Sequence, residues 1–317
     1  MTAFLLRRAA HALTVIFVVC TATFALVHLA PGGPAVLADP KLSLEEQAAI
    51  EQRLGLDRPV AAQYALWMGR VVRGDLGKSF LYEVPNRRAI GERLPNTALL
   101  AGTALLLSVL LGVPLGLWSA VRRGGLVDRV VSGLAFVAMA VPTFWLAIGA
   151  IFTFAIAVPI FPAGGASSAG EAGGFMDRLR HLVMPAAVLA AVTTAELLRY
   201  MRSSAQTALQ QPFVRVARAK GLRNRAVAWR HVFRTALIPV VTALGIQFPR
   251  LVGGAAITET VFAWPGLGRL GVQAALGRDY PLVMAITLFV SAAVVIVNML
   301  MDLLYLWIDP RIRLDAS

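Results

Sequence analysis

The stretch that decides the fold is 97–121, TALLAGTALLLSVLLGVPLGLWSAV. It holds no Asp, Glu, Lys or Arg; the nearest charges are Arg93 before it and Arg122 after it. A bilayer core ~30 Å thick is crossed by a helix of about 20 mostly apolar residues, and this stretch is long enough. Three more intervals have the same character, between Arg8 and Asp39, between Arg129 and Glu171, and between Asp279 and Asp302. They predict spans at 9–30, 130–159 and 282–301. Two weaker spans complete the set. The stretch 182–201 carries Glu196 and Arg199 at its far end, and 235–258 carries Arg250. Both count as helices, because backbone left without hydrogen bonds in lipid is very costly. The expected fold class is an all-α membrane protein with six transmembrane helices.

Composition agrees. Of 317 residues, 58% are hydrophobic and only 15% charged, with a mean hydropathy of +0.70. A soluble domain of this length needs more polar surface to cover its core. The net charge of +13 suits anionic lipid headgroups beside the apolar runs. Zinc-ligand spacing and the basic–aromatic interleaving of nucleic-acid modules are both missing, so nucleic acid is not an expected partner. The single cysteine, Cys20, cannot form an internal disulfide.

Charge also sets orientation. With the N-terminus inside, the inner segments hold sixteen basic residues, including nine from Arg199 to Arg234, against four in the two short outer loops. The positive-inside bias therefore places both termini in the cytoplasm. The apolar run of the first span is longer than the ~7–15 residues of a cleaved signal, so it is read as a retained helix. The implied division is an N-terminal helix at 1–30, an external amphipathic segment at 31–96, a core of five spans at 97–308 with a cytoplasmic loop at 203–234, and a cytoplasmic tail at 309–317. Within the external segment, Ser43 before Glu45 and Glu46 signals a helix start and Gly55 its stop.

Catalytic signatures fail on inspection. Gly77-Lys78-Ser79 resembles the end of a nucleotide-binding loop, but the glycine required five residues earlier is Val72. Metalloprotease and nucleophile-elbow motifs are missing, and the four histidines are scattered. The chain shows no engine of its own, and ionisable residues within spans are too few to suggest an ion-driven pump. Glu196 and Arg199 sit one turn apart near the cytoplasmic end of their span, where they could simply pair. Arg250 is the one charge well inside a span, with snorkelling, a partner subunit and the solute pathway all open as roles. Pro142 is placed to kink its span, and Gly253 and Gly254 to allow close packing or a bend; either feature also suits a pathway wall.

The loop 211–239 reads QPFVRVARAKGLRNRAVAWRHVFRTALIP. Pro212 suits a first helical turn, Gly221 a left-handed stop with Lys220 favourable to the dipole, and Asn224 the cap of a second helix. The first helix sets Val214, Ala217 and Gly221 on one side and Arg215 and Arg218 on another. Pattern alone allows a helix resting on anionic lipid or one docked to a protein. The small residues favour a protein partner.

This loop resembles the coupling loop of ABC-importer permeases, whose general form is Glu-Ala-Ala, three residues, Gly, nine residues, Ile-x-Leu-Pro. With its glycine on Gly221, Ala217 takes the second alanine while Arg215 and Val216 replace Glu-Ala, and His231-Val232-Phe233-Arg234 replaces the last element. The variant ARAKGL, then RH, then RTALIPVVT is similar to the dipeptide/oligopeptide/nickel permease family. So are VPTFWLAI (141–148), ITETVFAWPGLGRL (257–270) with RDYP (278–281), LGLDRP (54–59) with RGDLGKS (73–79), and DLLYLWIDPRIR (302–313). The matches run through nearly the whole chain in order, and the long outer segment points to the first permease of the pair.

The resemblance implies the type I ABC-importer permease fold in a bacterial or archaeal cytoplasmic (inner) membrane. It implies a second permease, two ATPases that hold ATP and Mg, and an external solute-binding protein, with no cofactor in this chain. Arg215, Val216, Ala217, Arg218, Lys220, Gly221 and Leu222 would couple to an ATPase. Solutes carried in the family include dipeptides, longer peptides, nickel chelates, glutathione and sugars. An ion-driven transporter is the contrasting reading. In the outer loop, Pro265, Gly266 and Gly268 make a tight turn expected to display Phe262, Trp264 and Leu267; Glu259, Phe262, Trp264, Pro265, Gly266, Leu267 and Arg269 are the candidates for docking the binding protein or gating the outer side, with an interface anchor the plainer alternative for Trp264.

Overall fold

In a computed structural model of the chain, described over residues 2–30, 33–34, 37, 43–168 and 174–308, helix dominates. In chain order the helices are α1 (Thr2–Leu29), α2 (Leu44–Leu54), α3 (Val60–Val72), α4 (Asn86–Val121), α5 (Leu126–Ala140), α6 (Thr143–Ile151), α7 (Phe175–Leu209), α8 (Pro212–Ala219), α9 (Asn224–Val227), α10 (Phe233–Val261), α11 (Leu267–Leu276) and α12 (Tyr280–Ile308). Single π-helical turns extend α6 and α9, at Phe152–Ala157 and Ala228–Val232. The chain forms two compact units, one of Met1–Pro95 with Gly266–Ile296 and one of Asn96–Pro265 with Val297–Ser317.

In the first unit, the start and stop of α2 follow the sequence signals. Ser43 N donates to Glu46 Oε2 at 2.8 Å and Glu46 N donates to Ser43 Oγ at 3.2 Å, a reciprocal cap. These bonds hold the exposed Glu46 carboxyl below its ordinary pKa. Gly55, at φ +71°, ends the helix. Helix α3 is tied to α1 by a Thr21–Tyr64 hydroxyl pair at 2.7 Å and by His28 Nε2 to Gln63 Oε1 at 3.2 Å. The apolar core joins Ala89 and Ile90 to Leu267, Leu270 and Ala274 of α11 and to Leu282, Ala285 and Ile286 of α12.

The Gly-Lys-Ser segment belongs to this unit and has a structural role. Ser79 Oγ donates to the buried Asp279 Oδ2 at 2.5 Å, Leu81 N donates to the same oxygen at 3.0 Å, and Asp279 Oδ1 accepts from Leu282 N at 3.2 Å. Asp279 thus caps α12 and holds the loop of residues 79–81 against it.

The second unit is built on α4 and α7. A Cβ at Gly112 would lie 2.8 Å from Thr194 O, and one at Gly116 would lie 2.6 Å from Leu198 O. The two helices therefore approach through glycines spaced Gly-x-x-x-Gly, the small-residue geometry of membrane helix pairs. Helices α5 and α6 meet at an angle of 103° across Val141–Pro142. Pro142 precedes the first residue of α6, so its missing N–H costs nothing there. The expected kink at Pro142 is present and is large enough to make 130–159 a broken span or a re-entrant pair.

Among the described residues, four helices are long and apolar enough to cross a membrane, or five with the α5–α6 pair counted as one. The remaining expected span, 235–258, lies within α10, where the surroundings of Arg250 and Gly254 fall outside what is described. Helix α7 extends beyond the expected 182–201 at both ends, and α4 begins at Asn86 rather than at 97. The tail 309–317 lies outside the described residues.

Candidate functional site

Helix α8 forms where the loop predicts it. Pro212 occupies the first turn, and the helix stops at Gly221, φ +77°. Gly221 N donates to Arg218 O at 2.9 Å and Leu222 N donates to Ala217 O at 3.3 Å. That pair of bonds is the Schellman closure, which needs a left-handed residue between them. Arg223, rather than Asn224, precedes α9 as its cap, and Asn224 is the first helical residue.

Burial splits α8 into two faces. Val214 and Ala217 sink into a core with Leu117, Met201, Ala205, Ala208, Val227, Val232, Ala236 and Val240. Ala217, expected to let a partner approach closely, serves the packing of its own chain instead. Gly221 stays exposed, with nothing within 4 Å of where a Cβ would sit. The outward face presents Arg215, Arg218 and Lys220 with Phe213 (38% exposed), Val216 (54%) and Leu222 (39%). Cations mixed with apolar side chains on a rigid element make a surface suited to a partner with acidic groups around an apolar centre.

An ionic clamp that the sequence did not single out lies at the end of α7 that leads into α8. Asp128, in the first turn of α5, accepts Arg202 Nε at 2.7 Å and Nη2 at 3.0 Å, Ser119 Oγ at 2.5 Å and Gly124 N at 2.9 Å. The two-pronged arginine contact is the stronger, geometrically specific kind. It binds the α4–α5 turn to the end of α7 that runs on into α8. The signal was present: an acid in a first helical turn, beside a Gly-Gly turn, with an arginine at the far end of a span.

The outer turn behaves differently from expectation. Phe262, Trp264, Gly266 and Leu267 are buried, with Trp264 fully so, and Ala263 is the exposed residue between them. Trp264 Nε1 donates to Asn96 O at 3.0 Å, Asn96 Nδ2 donates to Pro265 O at 2.9 Å, and Arg178 Nη2 donates to Asn96 Oδ1 at 2.8 Å. Glu259 is buried and accepts Thr97 Oγ1 at 2.6 Å. Gly165 N donates to Phe262 O at 2.8 Å, and a Cβ on Gly164 would come within 2.5 Å of that oxygen. A tryptophan with a polar end finds a partner when buried, and here the partner is backbone. The expected display of Phe262, Trp264 and Leu267 is therefore corrected: these side chains anchor the turn inward. Pro265 and Arg269 are half-buried.

The candidate pathway residues are only partly brought together. Pro142 sits at the 103° break. Gly253 is exposed, and among the described residues a Cβ there would meet nothing within 4 Å, so it provides no close helix contact to them. Glu196 and Arg199 do not pair. Glu196 Oε2 accepts from Gln247 Nε2, and Arg199 Nη1 reaches Met139 Sδ at 3.4 Å. A helix geometry that permits an i,i+3 pair does not compel it when another helix offers a partner.

Comparison with known proteins places this architecture. Residues 112–314 match the family described as "Binding-protein-dependent transport system inner membrane component", and residues 1–101 match its N-terminal counterpart. The oligopeptide transport system permease protein AppB of Bacillus subtilis (strain 168) is 36% identical over 315 residues, covering 99% of this chain and 100% of that protein. The dipeptide transport system permease protein DppB of Escherichia coli (strain K12) is 35% identical over 336 residues, with 99% of each covered. Among solved structures, an inward-facing conformation of the MetNI methionine ABC transporter shares the fold, with a TM-score of 0.53 at 19% identity over 70% of this chain and 97% of that one. With both family matches in sequence order and relatives aligned from end to end, the chain belongs to the inner membrane components of binding-protein-dependent transport systems.

Proposed function

We propose that this chain is one of two different permeases in an ATP-driven importer of di- or oligopeptides. It crosses a bacterial inner membrane six times with both termini in the cytoplasm. Two ATPase subunits hold the ATP and Mg, an external binding protein delivers the solute, and α8 takes the force. The observation that carries the reading is the two-faced α8. Val214 and Ala217 root it in the core, while Arg215, Val216, Arg218, Lys220 and Leu222 face outward. A helix held this way transmits a push to α7 and α10 instead of sliding along the membrane. The peptide assignment is supported by relatives named for oligopeptide and dipeptide transport. The orientation is supported by the excess of basic residues in the inner segments.

Co-purification tests the assembly, and uptake by reconstituted complex tests the cargo. Separate ATPase subunits should purify with the chain, and vesicles should accumulate dipeptide only with ATP, in a vanadate-sensitive way. Accumulation driven by an ion gradient without ATP would establish a secondary transporter instead.

A further inference from the structure

We propose that Asp128 and Arg202 are positioning residues for energy coupling: their clamp makes the start of α5 follow α8, so that force taken by α8 swings α5 about the break at Val141–Pro142. This rests on the coupling role of α8 proposed above and extends it to α5.

Apolar packing alone holds α5 weakly. Of its 15 residues, Asp128 and Ala135 are the buried ones. Its apolar contact with α7 runs through Val131, Ala135 and Ala138 against Ala195 and Leu198. Such contact is non-directional, so it allows one helix to roll over the other. Two spaces border α5, one of about 570 Å³ between α4, α5 and α7 and one of about 710 Å³ between α5 and α7. Motion of α5 against α7 therefore has room.

The clamp is directional where that contact is not. The Asp128 carboxylate takes bonds from Ser119 Oγ on α4, from Gly124 N in the turn, and from Arg202 Nε and Nη2 on α7. Two bonds from a planar guanidinium fix angle as well as distance, so this end of α5 neither lifts from α7 nor rolls on it while they hold. Arg202 follows Met201, which shares a core with Val214 and Ala217 of α8. Helix α4 is pressed onto the same turn, since a Cβ on Gly116 would lie 2.8 Å from Met201 Cβ and 3.2 Å from Arg202 N. The root of α8, the end of α4 and the start of α5 thus meet at one turn of α7.

At its other end α5 meets α6 at 103°, and α6 is rooted elsewhere: Ala147 shares a core with Met184, Val188 and Phe262. One arm of the α5–α6 pair is fastened beside α8 and the other in a separate core. Hinges are a few element-terminal residues that absorb a change in backbone angles, and Val141–Pro142 occupies that place.

The test uses the complete importer in proteoliposomes, with Cys20→Ser and pairs of spin labels at exposed positions. Labels at Leu126→Cys and Ala219→Cys report the separation of the start of α5 from α8, which should be the same in nucleotide-free and ATP-bound complex. Labels at Leu126→Cys and Ile148→Cys span the break, and their separation should change between those states. A change in the first pair, or none in the second, overturns the proposal. Arg202→Lys keeps the charge and loses the fork. Dipeptide imported per ATP hydrolysed should then fall about fivefold, the low end of ordinary coupling effects, with the thermal midpoint near that of the wild type, and the first pair should now differ between states. Uptake and hydrolysis that fall together at an unchanged ratio make the clamp a structural brace and overturn the proposal, as does full activity at an unchanged ratio. If Arg202→Lys fails to assemble, the label pairs in the chain with its clamp intact decide. Wild-type complex that imports no dipeptide with ATP overturns the proposed function and this inference with it; the other contrary results overturn this inference alone.

Discussion

Two short segments, α8 with its Gly221 stop and the outer turn from Glu259 to Pro265, look alike as sequence and behave oppositely as structure. Each combines aromatic or aliphatic residues with a residue in the left-handed region, Gly221 at φ +77° and Ala263 at φ +50°. In α8, the residues at helical spacing go inward and a mixed cationic–apolar face remains outside. In the outer turn, Phe262 and Trp264 both go inward, and the polar groups of Asn96, Arg178 and Thr97 close over the backbone and over Glu259. The lesson is that the large residues of a turn hold it in place, and a surface for partners is made by what the anchors leave exposed.

This contrast separates variants that loosen the protein from variants that silence it. The largest loss of stability is expected for Trp264→Ala, which removes a fully buried indole and its bond to Asn96 O. The cost should be about 3–5 kcal/mol, read as a lowered thermal midpoint of the purified complex. Asp128→Asn is next, at about 1–3 kcal/mol, since it leaves a part-buried arginine without its charge partner. Combining it with Arg202→Met in a double-mutant cycle should recover much of the loss. Gly221→Trp should cost about 1–2 kcal/mol, because a side chain is forced into the left-handed region. Open space at that position lets the chain fold and insert, while ATP hydrolysis becomes uncoupled from uptake. Val216→Glu should change stability by less than about 0.5 kcal/mol, as an exposed surface change, yet lower uptake at least as much as Trp264→Ala, measured in the same vesicles. If Val216→Glu transported normally while Trp264→Ala lost binding-protein docking but kept its stability, the contrast would be reversed.

How much of this was legible in the sequence follows from the physics of each feature. Long apolar helices over 9–30, 97–121 and 282–301 were readable because lipid demands long charge-free runs, though not the start of α4 at Asn86, and the break at Pro142 was readable because proline restricts the backbone. The stop at Gly221 was readable from local turn chemistry. Features that depend on which residues meet across helices were not. Gly112 and Gly116 stood in plain view as Gly-x-x-x-Gly, but only the approach of Thr194 and Leu198 gives them meaning. Asp128 and Arg202 are far apart in sequence and pair only once α5 lies on α7. Trp264 was read as displayed because an aromatic residue between turn residues looks the same whether it points out or in. The pairing open to Glu196 and Arg199 by spacing was undecidable for the same reason, as Gln247 and Met139 arrive from other helices.

The most direct test of the central claim, that a separate ATPase drives this chain through the outward face of α8, is a photocrosslink. A benzophenone attached to Val216→Cys in the assembled importer should capture an ATPase subunit, with a yield that changes between the nucleotide-free and the ATP-bound complex. Capture of lipid alone in every nucleotide state, with transport intact, would contradict the account.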